Sequence, residues 1–499
     1  MSLAPAQITA LMPLAIPAIA ACVLPIATLD KDQETAKWIR GAMFGIALLA
    51  LGFSYLYLSN LWNVTAQFNS QPSFYQLRMD RLAQFAGLFV TVAGGITVLQ
   101  LWDHLHHEGW VKGETLSLLL FSCVGMMLFA ATTNLLVLFL GLELLSLPLY
   151  ALTATVRFRE KAIEGGLKYF LTGAVAAACF LMGSALIYGL TGSLELAPLG
   201  RAVSGSDPLM MVGVVLLLLG FLFKVSAVPF HQWTPDAYEG APHPIAGFMS
   251  VATKGVAFIA LIRVFPGALA LGGPVAAKVQ SALALLAVLT LVLGNLTALV
   301  QTNVKRMLAY SSISHAGYLM LGFVAGTPAA FNGVLYYLVI YLAMNMGAFG
   351  LLTAYGLVGE RTTYEDLRGL GWKRPVLGIS AAICLLSLAG IPPMGGFFGK
   401  YFIFKELIAT GHVKLALLGV TASLVSVYYY LRVLVALFLE APRPSQEREA
   451  AERPEVHAPL AVATVWVCAL IVMTGGFFQT FLMDGFAGRA LREGLEQLR

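Results

Sequence analysis

The sequence predicts an all-α integral membrane protein of about fourteen transmembrane helices, and three features predict it. Only 11% of the 499 residues are charged and 59% are hydrophobic, whereas about a quarter of an ordinary soluble domain is charged. Apolar runs of roughly 18 residues or more, long enough to cross a bilayer, recur from end to end. Helix-breaking residues gather inside two of these runs, where a soluble helix would simply end.

The elements follow in chain order. The segment 7–28 has no Lys or Arg before Lys31, so it lacks the basic region of a cleaved signal peptide and reads as the first span. Spans are expected over 41–62, 80–102, 114–132, 134–156, 163–192, 208–230, 244–266, 275–301 and 304–326. The runs 328–358 and 375–408 exceed the roughly twenty residues of a straight span, so they tilt, break or extend into the interface. Spans over 412–440 and 457–484 close the series, separated by a polar stretch, 441–456, rich in Pro, Glu and Arg. The resulting divisions are a three-helix segment (1–110), two successive repeats (111–270 and 271–440), and the polar loop with the last helix (441–499).

Basic residues set the orientation. Arg157, Arg159, Lys161, Lys305, Arg306, Arg368, Lys373 and Arg374 fall in odd-numbered loops, while the even-numbered loops and helix edges hold far fewer, Arg78, Arg81, Arg201 and Arg263 among them. The odd loops are therefore expected to face the cytoplasm. An even number of spans then places both termini on the periplasmic side of a bacterial plasma membrane. A mitochondrial inner membrane is the less favoured location.

The net charge of +5 is not clustered on a solvated domain, which argues against nucleic acid. Cys22, Cys123, Cys179, Cys384 and Cys468 sit singly in apolar stretches, without the paired spacing of a metal or redox centre. No phosphate loop, nucleophile elbow or haem-attachment motif occurs, so no cofactor is expected on this chain.

Breakers concentrate at Pro229, Pro235, Pro242 and Pro244 around the seventh span and at Gly390, Pro392, Pro393, Gly395, Gly396 and Gly399 in the twelfth. One interrupted helix in each half of a chain points to inverted repeats with a transport site at the breaks.

Ionisable residues interrupt the spans themselves. Glu143 lies in FLGLELLSLPLYAL (139–152), Lys224 in LGFLFKVSAVPF (219–230), Lys254 in FMSVATKGVAFIAL (248–261) and Lys400 in LLSLAGIPPMGGFFGKYF (385–402). Each costs roughly 2.5–3.5 kcal/mol at the bilayer centre, on the order of 10–14 kcal/mol for four facing lipid, so they should face protein or internal water. Burial disfavours the charged form of a lysine and a nearby carboxylate favours it, so a lysine whose partner moves loads and releases a proton. A single such lysine is as readily a helix-locking residue; four at mid-span, two beside broken helices, are better read as a proton path. His315, in AYSSISHAGYLM (309–320), is a candidate relay, with the hydroxyls of Tyr310, Ser311, Ser312 and Ser314 placed to hold water. Lys405, Glu406 and Arg432 read as interfacial anchors. The loop DHLHHEGW (103–110) offers Asp103, His104, His106 and His107, but their spacing spreads the histidines around a helix end, which disfavours a metal site.

Four segments carry a resemblance: FLGLELLSLPLYAL, VPFHQWTPDAYEGAPHP (228–244), QTNVKRMLAYSSISHAGYLMLG (301–322) and LAGIPPMGGFFGKYF (388–402). Together they resemble the antiporter-like subunits of proton-pumping NADH:quinone oxidoreductase, respiratory complex I, over about 115–440. The resemblance implies two inverted five-helix repeats, broken seventh and twelfth helices, and a hydrated polar axis at mid-membrane. It places Glu143, Lys224, Lys254 and Lys400 at the family's fifth-, seventh-, eighth- and twelfth-helix sites. A lysine, not a glutamate, at the twelfth-helix site selects among the subunit types, and the short tail after 484 leaves no room for a lateral helix. FMN, iron-sulfur clusters and quinone are implied elsewhere in the complex, and the partners implied are other membrane-arm subunits, including another antiporter-like one. Two other readings compete. One is a subunit of a multi-subunit cation/proton antiporter, against which TPDAYEGAP and TNVKRMLAYSSISH weigh; the other is a structural membrane scaffold, for which neutralising the buried lysines would be harmless or stabilising.

Overall fold

The structure is a computed structural model that describes residues 5–26, 35–65, 73–74, 76–105, 112–195, 208–269, 274–356, 362–442 and 458–491. Its N-terminal part comprises α1 (Pro5–Val23), α2 (Thr35–Thr65), α3 (Arg81–Leu105), α4 (Gly113–Ala130), α5 (Leu135–Thr153) and α6 (Glu160–Thr191). There follow α7 (Pro208–Lys224), α8 (Trp233–Gly240), α9 (His243–Phe248), α10 (Lys254–Leu269), α11 (Pro274–Leu299), α12 (Val304–Ala325) and α13 (Pro328–Tyr355). A one-turn α14 (Leu370–Lys373), then α15 (Pro375–Ala389), α16 (Gly395–Ala409), α17 (Val413–Phe438) and α18 (Pro459–Phe477) complete the bundle.

Among the described residues, ten helices are long and apolar enough to cross a membrane. The expectation of about fourteen also counts the shorter apolar α1 and α7, the broken α15–α16 pair, and α12, which carries Lys305, Arg306, His315 and several hydroxyls. The all-α expectation needs one small addition. Two-residue strands β1 (Ser73–Phe74) and β2 (Leu77–Arg78) form a hairpin whose second strand donates Arg78 N–H to Ala131 O at 2.7 Å, sealing the end of α4. From residue 443 the predicted polar loop over 441–456 lies outside the described residues, as does the stretch that would join it to α18.

Lipid offers helices no hydrophobic reason to associate, so they pack closely where side chains are small. A methyl group on Gly125 would collide with Leu145 N and one on Gly141 would meet Phe129 N at 2.7 Å, so α4 and α5 approach backbone to backbone. The α11–α12 pair repeats the device: a methyl group on Gly294 would meet Ser314 N at 2.7 Å and one on Gly317 would meet Leu291 N at 3.0 Å. Capping repeats too. Asn134 accepts from Leu136 N at the start of α5 and Asn303 accepts from Arg306 N at the start of α12. Gly125 and Gly294, Asn134 and Asn303, and Leu145 and Ser314 stand at one constant sequence spacing, so the pairs occupy equivalent places in two copies of one unit.

Each copy then reaches a broken span. α7 stops at Lys224, and Ser226 takes a left-handed conformation (φ 62°) with its Oγ accepting from Thr234 Oγ1 at 2.7 Å. Pro229 and Pro235 have no N–H to continue a helix. α15 stops at Ala389, with Gly390 left-handed (φ 88°), and α16 resumes after Pro392 and Pro393. α13, in contrast, runs unbroken for 28 residues. At about 1.5 Å per residue that is roughly 42 Å, longer than the bilayer core, and the helix is buried on nearly all sides as the pillar of the second half.

Candidate functional site

Lys224 is the last residue of α7, and only 1% of it is exposed. Its Nζ donates to Ser146 Oγ on α5 at 2.8 Å and more weakly to Tyr169 OH at 3.4 Å, and it stands 5.6 Å from the centroid of the Tyr169 ring. Lys254 opens α10 immediately after a π-helical turn, Met249–Thr253, that joins it to α9. Such turns insert one residue into a helix and are frequent at functional sites; hydropathy gave no sign of this one. Lys254 Nζ donates to Ser312 Oγ at 2.6 Å and lies 5.7 Å over the Tyr238 ring.

Lys400 sits on the first turn and a half of α16 and turns back to the break. Its Nζ donates to Leu388 O at 3.0 Å, Ala389 O at 3.3 Å and Ser423 Oγ at 2.9 Å, 4.8 Å over the Tyr318 ring. The two carbonyls belong to the last turn of α15, which the break leaves without helical partners and which carries the negative end of the helix dipole. A cavity of about 510 Å³ opens beside this ammonium, with Lys400, Lys405, Tyr401 and Ser423 in its wall.

The three lysines thus share one arrangement: a serine hydroxyl from a facing helix and a tyrosine face beneath the ammonium. Among the described residues none of the three forms an ion pair with a carboxylate. Glu143 is only half-buried, and Ser146, one turn further along α5, holds Lys224. Aromatic rings fill the space between Lys224 and Lys254. Tyr169 stacks on Trp233 at 4.1 Å and Trp233 meets Tyr238 edge-on at 6.2 Å.

His315 is buried on α12 with both ring nitrogens engaged, Nδ1 with Tyr337 OH at 2.6 Å and Nε2 with Tyr430 OH at 3.0 Å. The expected hydroxyls on its own helix are turned elsewhere. Ser314 donates to Ser311 O, Ser312 serves Lys254, Ser311 pairs with Tyr430, and the Tyr310 ring lies under Arg306. Hydroxyls three or four residues along a helix back-bond to its carbonyls, so the partners of His315 come from α13 and α17.

Of the residues outside the lysine set, Glu406 accepts from Thr327 Oγ1 at 2.9 Å, and Arg432 donates to Gln301 O at 3.1 Å over the Tyr364 ring. Asp103 accepts from Ala461 N at 2.7 Å, capping the start of α18. His106 and His107 lie outside the described residues.

Hydropathy also passed over a buried ion pair. Arg263, an apparent helix-edge charge in the sequence, is 1% exposed; it donates to Asp80 Oδ2 at 2.5 Å, to Asp80 Oδ1 at 2.6 Å and to Ala130 O at 3.0 Å. This bidentate contact ties α10, the helix of Lys254, to α4 and to the start of α3. At the other end of the bundle α8, too short to span, carries Asp236 and Glu239. Arg306 Nη1 donates to both, at 2.7 and 2.8 Å, while Lys168 donates to Asp236 at 2.8 Å and Lys161 to Glu239 at 2.7 Å. Burial alone would raise both carboxyls, but these cations hold each below its ordinary value. Lys305 Nζ joins the same junction by donating to Glu239 O and Ala241 O.

Residues 132–426 match the family model described as NADH:quinone oxidoreductase/Mrp antiporter, transmembrane. The chain belongs to this family. The NADH-quinone oxidoreductase subunit N of Salinibacter ruber is 42% identical over 444 residues, 86% of this chain and 87% of the relative. Subunit N 1 of Koribacter versatilis is 37% identical over 485 residues, 93% and 92% of the two chains. A chain of respiratory complex I from Thermus thermophilus, solved with bound aureothin, superposes with a TM-score of 0.77 at 35% identity, covering 95% of this chain and 99% of that one. A chain of the Mrp complex of Dietzia sp. DQ12-45-1b reaches a TM-score of 0.82 at 19% identity, covering 99% of each, a likeness of fold alone. Lys224, Lys254, His315 and Lys400 are buried and Glu143 half-buried, and all five fall within the matched segment.

Proposed function

We propose that this chain is the proton-translocating membrane subunit of an NADH:quinone oxidoreductase of the respiratory complex I type, in the position held by subunit N of its relatives. One observation carries the reading: three buried ammonium groups, each cradled by a serine hydroxyl and a tyrosine ring, stand without ion-paired carboxylates among the described residues. A locking lysine is paired. A proton-carrying one has neutral hydroxyl partners that bond it in either charge state, because a hydroxyl accepts from an ammonium and donates to an amine.

In this reading Glu143 tunes the charge of Lys224 through Ser146, Lys254 receives the proton beside the second repeat, His315 relays it, and Lys400 exchanges it at the α15–α16 break. The chain is an enzyme only as part of the assembly. Its own residues move protons, while FMN, iron-sulfur clusters and quinone belong to other subunits. Other membrane-arm subunits, another antiporter-like chain among them, are its partners. Its location is the bacterial plasma membrane with both termini periplasmic.

The test is NADH-driven proton pumping by membranes carrying Lys224→Ala or Lys400→Ala, with assembly checked in parallel. Loss of pumping in an assembled complex is expected. Full pumping at normal turnover would overturn the proton path and leave a structural scaffold, and sodium-driven proton exchange without NADH would assign the chain to a cation/proton antiporter instead.

A further inference from the structure

Resting on the reading that protons pass among buried groups of this chain, we propose that the Tyr318 hydroxyl, with one internal water, links Lys400 to His315. The observation is a run of polar groups interrupted on both sides of the Tyr318 hydroxyl. From one end, His315 Nε2 meets Tyr430 OH at 3.0 Å. Tyr430 packs against Tyr429 with ring centroids 4.5 Å apart, and Tyr429 OH donates to Asn295 Oδ1 at 3.0 Å. From the other end, Lys400 Nζ donates to Ser423 Oγ at 2.9 Å. The Tyr318 hydroxyl has Asn295 and Ser423 as polar neighbours.

That hydroxyl is buried and, among the described residues, has no partner within hydrogen-bond distance, although its neighbours are polar. A buried hydroxyl left unsatisfied costs roughly 1–3 kcal/mol, and such groups in proteins are generally met by ordered water. The Tyr318 ring is meanwhile pinned at both ends of the proposed transfer, 4.8 Å beneath Lys400 Nζ and 5.7 Å edge-on from the His315 ring.

The transfer balances as a sequence of O–H and N–H exchanges. A proton leaves Lys400 Nζ for Ser423 Oγ, whose own proton moves to Tyr318 Oη. The Tyr318 proton leaves in turn to a water held against Asn295 Oδ1 and Tyr429 Oη, and the hydroxyls of Tyr429 and Tyr430 pass it to His315 Nε2. Lys400 ends neutral and His315 protonated, with every hydroxyl restored, and the same exchanges in reverse carry a proton from His315 to Lys400. Asn295 positions the water and gives up no proton. Ser423, which donates to Ala389 O at 3.2 Å in this structure, must turn its hydroxyl toward Tyr318 for the step. The turn is a rotation about one bond.

The experiment uses the assembled complex carrying Tyr318→Phe, Tyr318→Leu or Lys400→Ala, and compares protons pumped per NADH oxidised. Phe keeps the ring beneath Lys400 and removes only the hydroxyl. Pumping is expected to fall by about tenfold or more in Tyr318→Phe, as far as in Tyr318→Leu, because a positioned proton-transfer group is worth at least that much. Normal pumping in the Phe variant with loss in the Leu variant would make Tyr318 a packing residue and overturn the inference. Normal pumping in Tyr318→Phe while Lys400→Ala is inactive would overturn it and leave the broader proton path standing. If both pump normally, the path itself falls. Should the Phe variant not assemble, Ser423→Ala and Ser423→Thr take its place: loss in the first and recovery in the second support the link, and normal pumping in Ser423→Ala overturns it.

Discussion

Lys224 donates to Ser146 Oγ at 2.8 Å, and Ser146 stands one turn beyond Glu143 on α5. Ser146 in turn back-bonds to Leu142 O, leaving its oxygen turned to the ammonium. Hydrogen bonds to charged groups contribute about 1.5–3 kcal/mol. Ser146→Ala should therefore change the proton affinity of Lys224 and slow pumping several-fold while the complex still assembles, and Ser146→Thr should recover most of the rate. Vesicle acidification measured against NADH oxidation reads both. An unaffected Ala variant would mean that Glu143 acts on Lys224 without the hydroxyl.

The pair Asp80–Arg263 predicts a stability effect. Breaking a buried pair by removing one partner costs about 3–5 kcal/mol, whereas replacing both with apolar residues is often neutral. Asp80→Ala should sharply reduce the amount of assembled complex, and Asp80→Leu with Arg263→Met should restore much of it. Native-gel quantification of the complex decides. A double variant as poor as the single would show that the ions themselves are needed.

The α4–α5 contact makes a steric prediction. Gly125→Val puts atoms where the Leu145 backbone stands, so the helices must separate and the subunit should not accumulate. Gly52→Ala adds a methyl into open space on the outer face of α2 and should be tolerated. Subunit abundance by immunoblot in the two strains checks the contrast.

The surface cluster around Arg306 makes a pH prediction. Asp236 and Glu239 are held below their ordinary values in the folded chain. A carboxyl lowered on folding adds stability that is complete above its unfolded value, near 4, and is lost as pH falls through the folded value below it. Arg306→Gln should thus lower the melting temperature at pH 7 and flatten its further fall on acidification, so that the two curves converge below about pH 4. Thermal scans of the detergent-purified complex from pH 7 downward measure this; parallel curves would mean the contacts are solvent-screened and contribute nothing.

Much of this molecule was legible before any contact was known. The cost of placing Lys224, Lys254 or Lys400 in hydrocarbon depends on the residue and the solvent alone, so their burial was predictable one residue at a time. The same holds for the breaks at Lys224–Trp233 and Ala389–Gly395, because proline lacks an amide hydrogen wherever it stands. Repetition was harder to see in the letters, since the features that recur, Gly125 with Gly294 and Asn134 with Asn303, are small residues with a backbone role.

What the sequence by itself determined is the class of the protein, the run of spans, the two broken helices and the identities of the ionisable groups; each follows from how a residue is solvated or how its own backbone bonds. Tertiary structure alone decided the partners. Ser146, Ser312 and Ser423 look like any other hydroxyls in an apolar run, and Tyr318, Tyr337 and Tyr430 like ordinary core aromatics, until folding brings them to an ammonium or an imidazole. Asp80 and Arg263 are far apart in the chain, and the π-turn before Lys254 leaves no mark in hydropathy. A contact between distant residues is a property of packing, and hydropathy, read along the chain, contains no term for it.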